Sequence, residues 1–226
     1  MGTDDLFHKR KARQAKAHRR KIASRAPYER VLIICEGEKT EPNYLKGIRK
    51  AFMLHPANVV IADKKHGLDP KGLVCYAIEE YKKDPDFNRV YCVFDKDKHT
   101  SYDAALDQVG ATRLKGGAKL LAITSVPCFE FWILLHFTYT TRSFCAAGED
   151  SNCALVVAEL KRNGWLPDYE KGVKDLFDLL EDKLDTAMKS ATRLKAFHMT
   201  SGTDNPSTKV PDLIDYLEEM KAKKST

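Results

Sequence analysis

Four short runs in this chain are apolar from end to end: Val31-Leu32-Ile33-Ile34-Cys35, Val59-Val60-Ile61-Ala62, Val90-Tyr91-Cys92-Val93-Phe94, and Leu120-Leu121-Ala122-Ile123 within Lys119 to Thr124. A strand with one face in water alternates polar and apolar residues. A run without alternation is covered on both faces, the usual situation in a parallel sheet. Between the runs, apolar residues recur at helical spacing, first at Leu45, Ile48 and Phe52 and then at Leu73, Ala77, Ile78 and Tyr81. A further helix is expected from about Tyr102 to Leu114, behind Ser101. The order βαβαβαβ predicts an α/β fold, an open parallel sheet of about four strands covered by helices.

The third run stops on Asp95-Lys96-Asp97. Strand side chains alternate, so carboxylates at i and i+2 can leave the sheet on one side. The carboxyl edge of an open α/β sheet is also where ligands bind. Two carboxylates held together repel each other, and a hard divalent ion such as magnesium answers that repulsion. The alternative is a charged loop neutralised by Lys96 and Lys98. The first run stops in a similar way on Glu36-Gly37, where Gly37 permits a sharp turn, with Thr40 as a candidate N-cap and Pro42 in the first helical turn. If the first and third strands are neighbours, Glu36, Asp95 and Asp97 form one acidic cluster. Such a cluster can hold a divalent ion and keep a carboxylate for proton transfer, which is the equipment of phosphodiester chemistry. Other sites are missing: there is no P-loop, no G-x-G-x-x-G and no G-x-S-x-G. A phosphatase of the Asp-x-Asp-x-Thr/Val type would need a different residue where His99 stands.

The stretch from Ser125 to Phe137 reads as a helix, with Pro127 early and apolar residues nearly all round. Glu130 is its anomaly. A buried carboxylate costs several kcal/mol unless it is paired or bound to metal. Glu130 is therefore a candidate member of the site, or else a capping or ion-paired group. His136 reads as a satisfied core histidine or one at the helix C-terminus. After Phe144 the pattern becomes helical, with Ala154 to Arg162, Val173 to about Met188, Lys189 to Phe197, a turn at Asn205-Pro206-Ser207-Thr208, and a last helix through Val210, Leu213, Ile214, Leu217 and Met220. The expected organisation is a basic arm (1–28), an α/β domain (29–140) and a helical C-terminal extension (141–226) packed on the sheet domain.

Charge is unevenly distributed. The formal net charge is +6, but residues 1–28 hold nine Lys/Arg and two Asp, leaving the remainder near −1. An arm with so many cations and so few core positions suits a polyanion, and the alternative is a solvated tail. The phosphate-contact candidates are Lys9, Arg10, Lys11, Arg13, Lys16, Arg19, Arg20, Lys21 and Arg25, joined by Lys39 beside the acidic motif. The six cysteines show no C-x-x-C pair and no zinc spacing. This favours reduced thiols in a cytoplasmic setting over a disulfide scaffold. No apolar run reaches the roughly 18 to 20 residues of a membrane span.

Several stretches also resemble a known family. Ile33-Ile34-Cys35-Glu36-Gly37-Glu38-Lys39-Thr40-Glu41-Pro42-Asn43-Tyr44, Val93-Phe94-Asp95-Lys96-Asp97, Pro127 to Phe137 and Asn205-Pro206-Ser207-Thr208 resemble the RloB family. The strand ending in Glu-Gly and the later strand ending in Asp-x-Asp are similar to the broader Toprim-like fold. The Toprim resemblance implies a metal-dependent nuclease-type site, with Glu36 as acid/base and Asp95 and Asp97 on magnesium or manganese. The RloB resemblance implies a bacterial protein of phage defence by abortive infection, often encoded beside an ATPase. Two functions follow as expectations: a magnesium-dependent nuclease on RNA or DNA, or a non-catalytic nucleic-acid-binding effector or partner subunit.

Overall fold

The four apolar runs become strands β1 (Val31–Cys35), β2 (Val59–Ala62), β3 (Arg89–Asp95) and β4 (Lys119–Val126) in a computed structural model that describes residues 29–62, 67–146 and 151–224. Seven helices accompany them: α1 (Thr40–Ala51), α2 (Pro70–Lys83), α3 (Tyr102–Ala111), α4 (Glu130–Leu134), α5 (Asn152–Arg162), α6 (Leu184–Ser201) and α7 (Val210–Lys224). Strands β1 to β4 pair in parallel, and a short fifth strand, β5 (Ser207–Thr208), lies antiparallel beside β4, giving the order β2-β1-β3-β4-β5. The fold is therefore the expected α/β class, a mostly parallel open sheet.

Alternation along the strands separates two cores. Val31, Ile33, Cys35, Tyr91 and Val93 face one layer, with α1 and the C-terminal helices. Leu32, Ile34, Val90, Cys92 and Phe94 face the other, with α2 and α3. The first layer is continuous from Tyr44 and Ile48 of α1 through Phe131 and Trp132 to Leu194 and Leu217. The C-terminal helices thus supply much of the cover for one face of the sheet.

The order of the strands reverses between β1 and β3. From β1 the chain crosses outward to β2, then returns to β3 on the other side of β1 and continues to β4. Helix α1, which follows β1, packs on one face, while α3, which follows β3, packs on the other. Diverging connections of this kind leave a crevice at the carboxyl ends of the two strands.

Three expectations are corrected. The helix expected from Ser125 to Phe137 begins only at Glu130 and lasts five residues. Ser125 and Val126 pair instead with Thr208 and Ser207, which prolongs β4. The same pairing makes the second half of the expected turn at Asn205-Pro206-Ser207-Thr208 into β5, a strand too short to show any period. The helix expected from Val173 is replaced by turns up to a 3-10 segment (Glu181–Lys183), and one helix, α6, follows. Leu176, Phe177 and Leu180 are buried from these turns, so their spacing imitates a helix. Phe177 packs edge-on against Tyr44, with ring centroids 5.3 Å apart.

Phe177 also lies directly over Gly47 of α1, and a Cβ at Gly47 would overlap its Cβ and ring. Gly47→Ala gains about 1 kcal/mol of helix propensity but overpacks the core, which typically costs about 1–3 kcal/mol. The expected net result is destabilisation, read as a lower denaturation midpoint. An unchanged or raised midpoint would mean that α1 and the Phe177 turn are not packed this closely.

Candidate functional site

The crevice holds a cavity of about 420 Å³, lined by Glu36, Glu38, Glu41, Asp95, Asp97 and Glu130 together with Lys39, His99, Lys171, Cys128 and Cys153. Glu36 extends the β1 ladder by one residue, its N–H donating to Val93 O at 2.7 Å. Its side chain spans to the neighbouring strand end. Oε2 accepts from the Asp95 N–H at 3.1 Å, and Oε1 lies 2.8 Å from His99 Nε2. The sheet has brought together residues 59 positions apart in the chain, as the neighbouring-strand expectation required.

Asp95 ends β3 opposite Ser125 and has the same parity as Val93, so it faces the layer that carries α1 and α4. Burial pushes its carboxyl well above the usual range, and the charges of Glu41, Glu130 and Glu36 push it further, against an opposing hydrogen bond from the Phe129 backbone. Asp95 is half-buried and lines the cavity.

Asp97 reaches the same cavity by a route the strand argument did not foresee. The strand has already ended, and Asp97 has φ 22°, a turn conformation held by its N–H donating to Pro127 O at 3.0 Å. The two aspartates therefore share a site because the chain bends, not because a strand alternates. Asp97 Oδ1 is buried with no hydrogen-bond partner. Lys96 does not neutralise the pair, since its Nζ lies 2.6 Å from Asp204 Oδ2.

Glu130 is the first residue of α4 and is 2% exposed. Its Oε1 accepts from Tyr169 OH at 3.1 Å and lies 3.5 Å from Lys171 Nζ, and its Oε2 lies 3.0 Å from Cys153 Sγ. It is thus partnered, and it also belongs to the cavity wall. His136 is a buried, satisfied histidine between Tyr44 OH (3.1 Å) and Trp132 O (3.0 Å), with burial lowering its pKa to about 4.

Glu41 is the residue that the sequence reading passed over. A carboxylate in the first turn of a helix reads as a match for the helix dipole. Here it is 5% exposed and folds back so that Oε1 accepts from Gly37 N–H at 3.1 Å. A Cβ at Gly37 would overlap the Glu41 carboxylate, so this glycine serves close approach as well as the turn. Burial raises the Glu41 pKa to about 7, with the Glu130 charge adding to the shift and hydrogen bonds from the Glu41 and Gly37 backbones opposing it. Thr40, expected as the N-cap, is the first helical residue and accepts from Gly172 N–H at 3.0 Å. Lys39 occupies the cap position, exposed at the cavity. The other phosphate-contact candidates, Lys9 to Arg25, lie outside the described residues.

The cysteine expectation is corrected for one pair. Cys128 and Cys153 are joined by a disulfide, with Cα atoms 5.6 Å apart, while Cys35, Cys75, Cys92 and Cys145 form no disulfide. The two joined residues stand 25 positions apart, in the turn after β4 and the first turn of α5, so no local spacing announces them. Cys128, Glu130 and Cys153 also bring their ligand-type atoms within 4.8 Å of one another, the one such convergent set among the described residues. Glu36, Asp95 and Asp97 share the cavity without converging so closely. No described helix is long and apolar enough to cross a membrane.

A pH signature follows from Glu41. Its folded pKa of about 7 exceeds the ordinary 4.5, so the folded state binds more protons between those values. The stability this group contributes is full below about pH 4.5 and is lost as pH rises through 7. Glu41→Gln keeps the acceptor for Gly37 and removes the charge. In metal-free buffer its stability relative to wild type should rise between pH 5 and 8 by roughly 2 to 3 kcal/mol. Denaturation at the two pH values measures this, and a pH-independent difference would show that Glu41 titrates normally.

The cavity and all five strands fall inside one region of family similarity. A family model described as RloB-like protein matches residues 31–217. No curated protein and no solved structure matches the chain. With Glu36, Glu41, Asp95, Asp97 and Glu130 all within the matched span, which takes in most of the sequence, the chain belongs to the RloB-like protein family.

Proposed function

We propose that this chain is a metal-dependent, Toprim-like nuclease of bacterial antiviral abortive infection, cleaving phosphodiester bonds of RNA or DNA in the cytoplasm. The observation that carries the reading is the crowding of carboxylates at the reversal point of the sheet. Asp95 is surrounded by Glu36, Glu41 and Glu130, and Asp97 Oδ1 is buried without a partner. An all-oxygen donor set of this kind fits magnesium or manganese, held by Asp95 and Asp97 with Glu36. Such an ion polarises a phosphoryl oxygen and stabilises the leaving oxyanion when bound.

The chain's own residues supply the rest. Glu36 is oriented by the Asp95 N–H and His99, which suits it to move a proton at the cavity mouth. Glu130 completes the buried wall. Lys39 offers a cation where a substrate phosphate would enter, and the basic arm, Lys9 to Arg25, would hold the rest of a nucleic acid. An ATPase partner belongs to the same proposal.

A second reading has one observation in its favour. The Glu36 carboxylate is already engaged at both oxygens, as it would be in a non-catalytic nucleic-acid-binding effector that keeps the site as a scaffold.

Mutants separate the two. Asp95→Asn and Asp97→Asn should each abolish magnesium-dependent cleavage of total RNA or plasmid and weaken metal binding in calorimetry, because an amide oxygen is a poorer ligand for a hard cation. Stability in metal-free buffer should hold or rise, since like-charge repulsion is relieved. Glu36→Gln should still bind metal and substrate but lose turnover by roughly 10²- to 10⁴-fold. If all three mutants process nucleic acid like wild type, the nuclease reading falls.

The arm is tested separately. Deleting residues 1–27 should weaken nucleic-acid binding and flatten its salt dependence while leaving the melting temperature of the folded part unchanged, because each lost phosphate contact removes counterion release. An unaltered salt slope would retire the arm as a phosphate-binding element.

A further inference from the structure

Two residues of the cavity wall have no part in the chemistry above. Cys128 and Cys153 both line the cavity, at 1% and 4% exposure, so that space is the route by which a small reagent would reach their sulfurs. Their Cα atoms are 5.6 Å apart, a separation at which a disulfide opens and closes without displacing the backbone. Lys171 Nζ lies 3.5 Å from Cys153 Sγ, and a neighbouring ammonium stabilises the thiolate that carries out sulfur exchange. In the closed pair Cys153 Sγ lies 3.0 Å from Glu130 Oε2, within reach of a hydrogen bond that a Cys153 thiol would donate once the pair is open. When the pair is closed, that hydrogen is gone. The state of the sulfurs therefore changes the hydrogen bonding of a buried carboxylate beside Asp95 and Glu41.

We propose that Cys128 and Cys153 form a reversible dithiol–disulfide pair, a modification site that takes a hydroperoxide entering by the acidic cavity. The Cys153 thiolate attacks one peroxide oxygen and the O–O bond breaks, leaving a sulfenic acid. The departing hydroxide takes up a proton to become water. The Cys128 sulfur then attacks the Cys153 sulfur, the S–O bond breaks, and the second hydroxide leaves with the Cys128 proton as water. Two thiols are oxidised to one disulfide and one hydrogen peroxide is reduced to two waters. A dithiol reductant reverses the change by exchange.

In the open form the same sulfurs and Glu130 could ligate a soft divalent ion instead. Lys171 argues against this, because its ammonium already stands 3.5 Å from both Cys153 Sγ and Glu130 Oε1, where a cation would compete with it. The inference does not rest on the nuclease reading, since sulfur state and melting are measured without nucleic acid.

The test uses the full chain, reduced with dithiothreitol, desalted, treated with stoichiometric hydrogen peroxide and then alkylated for peptide mapping. The expected product links Cys128 to Cys153, with Cys35 and Cys92 alkylated only after unfolding, and renewed dithiothreitol frees both sulfurs in the folded protein. Reduction should lower the melting temperature by roughly 5 to 15 °C, since the bond closes a loop of intermediate length. In Cys128→Ser and Cys153→Ser the melting temperature should ignore the reductant. If either variant fails to fold, the wild-type cycle carries the test alone. Three results would overturn the proposal: sulfurs that stay alkylatable after peroxide, a cross-link that only unfolding makes reducible, or one zinc per reduced chain that Cys153→Ser loses.

Discussion

Parallel strands cannot be joined by a tight turn, so each connection among the parallel strands β1 to β4 needs a crossover that lies on one face or the other. Everything else follows from where those crossovers go. The link from β1 runs over one face and the link from β3 over the opposite face, and between the two diverging helices the carboxyl ends of β1 and β3 stay open. The backbone there is still under ladder control. Glu36 donates to Val93 O, and the Asp95 N–H is taken by the Glu36 side chain. An acidic pair at such a place is held by the same hydrogen bonds that hold the sheet, which gives it a rigidity that loop carboxylates lack.

The electrostatic consequence is that one cavity collects more negative charge than it can solvate. Asp95 and Glu41 respond in the direction that burial dictates, with their carboxyls shifted upward. Glu130 is handled differently, through a phenol and an ammonium. Buried carboxylates without partners would cost several kcal/mol each. The arrangement persists because the surrounding layer is large and apolar, running from Tyr44 through Trp132 to Leu217. A site of this kind is a local conflict sustained by a core around it, the usual place for function to reside.

The parts of this structure that were legible in the sequence are those set by periodicity. Runs such as Val31 to Cys35 and Val90 to Phe94 declared buried parallel strands, and the acidic residues that end them, Glu36 and Asp95, line the cavity. What escaped was set by tertiary contact. β5 is two residues long and exists only because Ser125 and Val126 offer it an edge. Leu176, Phe177 and Leu180 repeat like a helix while packing from turns. Glu41 looks like an ordinary first-turn acid until Gly37 is seen to let its carboxylate fold inward. Asp97 lines the cavity because a bend, and not strand alternation, carries it there.

The C-terminal half shows best why composition alone misleads about its role. Read along the chain, the segment beyond residue 140 carries no catalytic spacing of its own. In space, Lys171 and Gly172 line the cavity, Tyr169 holds Glu130, the Gly172 N–H binds Thr40 at the start of α1, and Asn43 donates to Gly172 O and Val173 O. The helix that follows the first acidic motif is thus fastened by the turn after α5. A motif at residues 36 to 44 is then under steric and hydrogen-bonding constraint from residues about 130 positions away. That explains why the strand-helix half would not suffice as a site by itself: with the later turn removed, Thr40, Asn43 and Glu130 lose their partners together, and the wall that keeps Asp95 and Glu41 out of water goes with them.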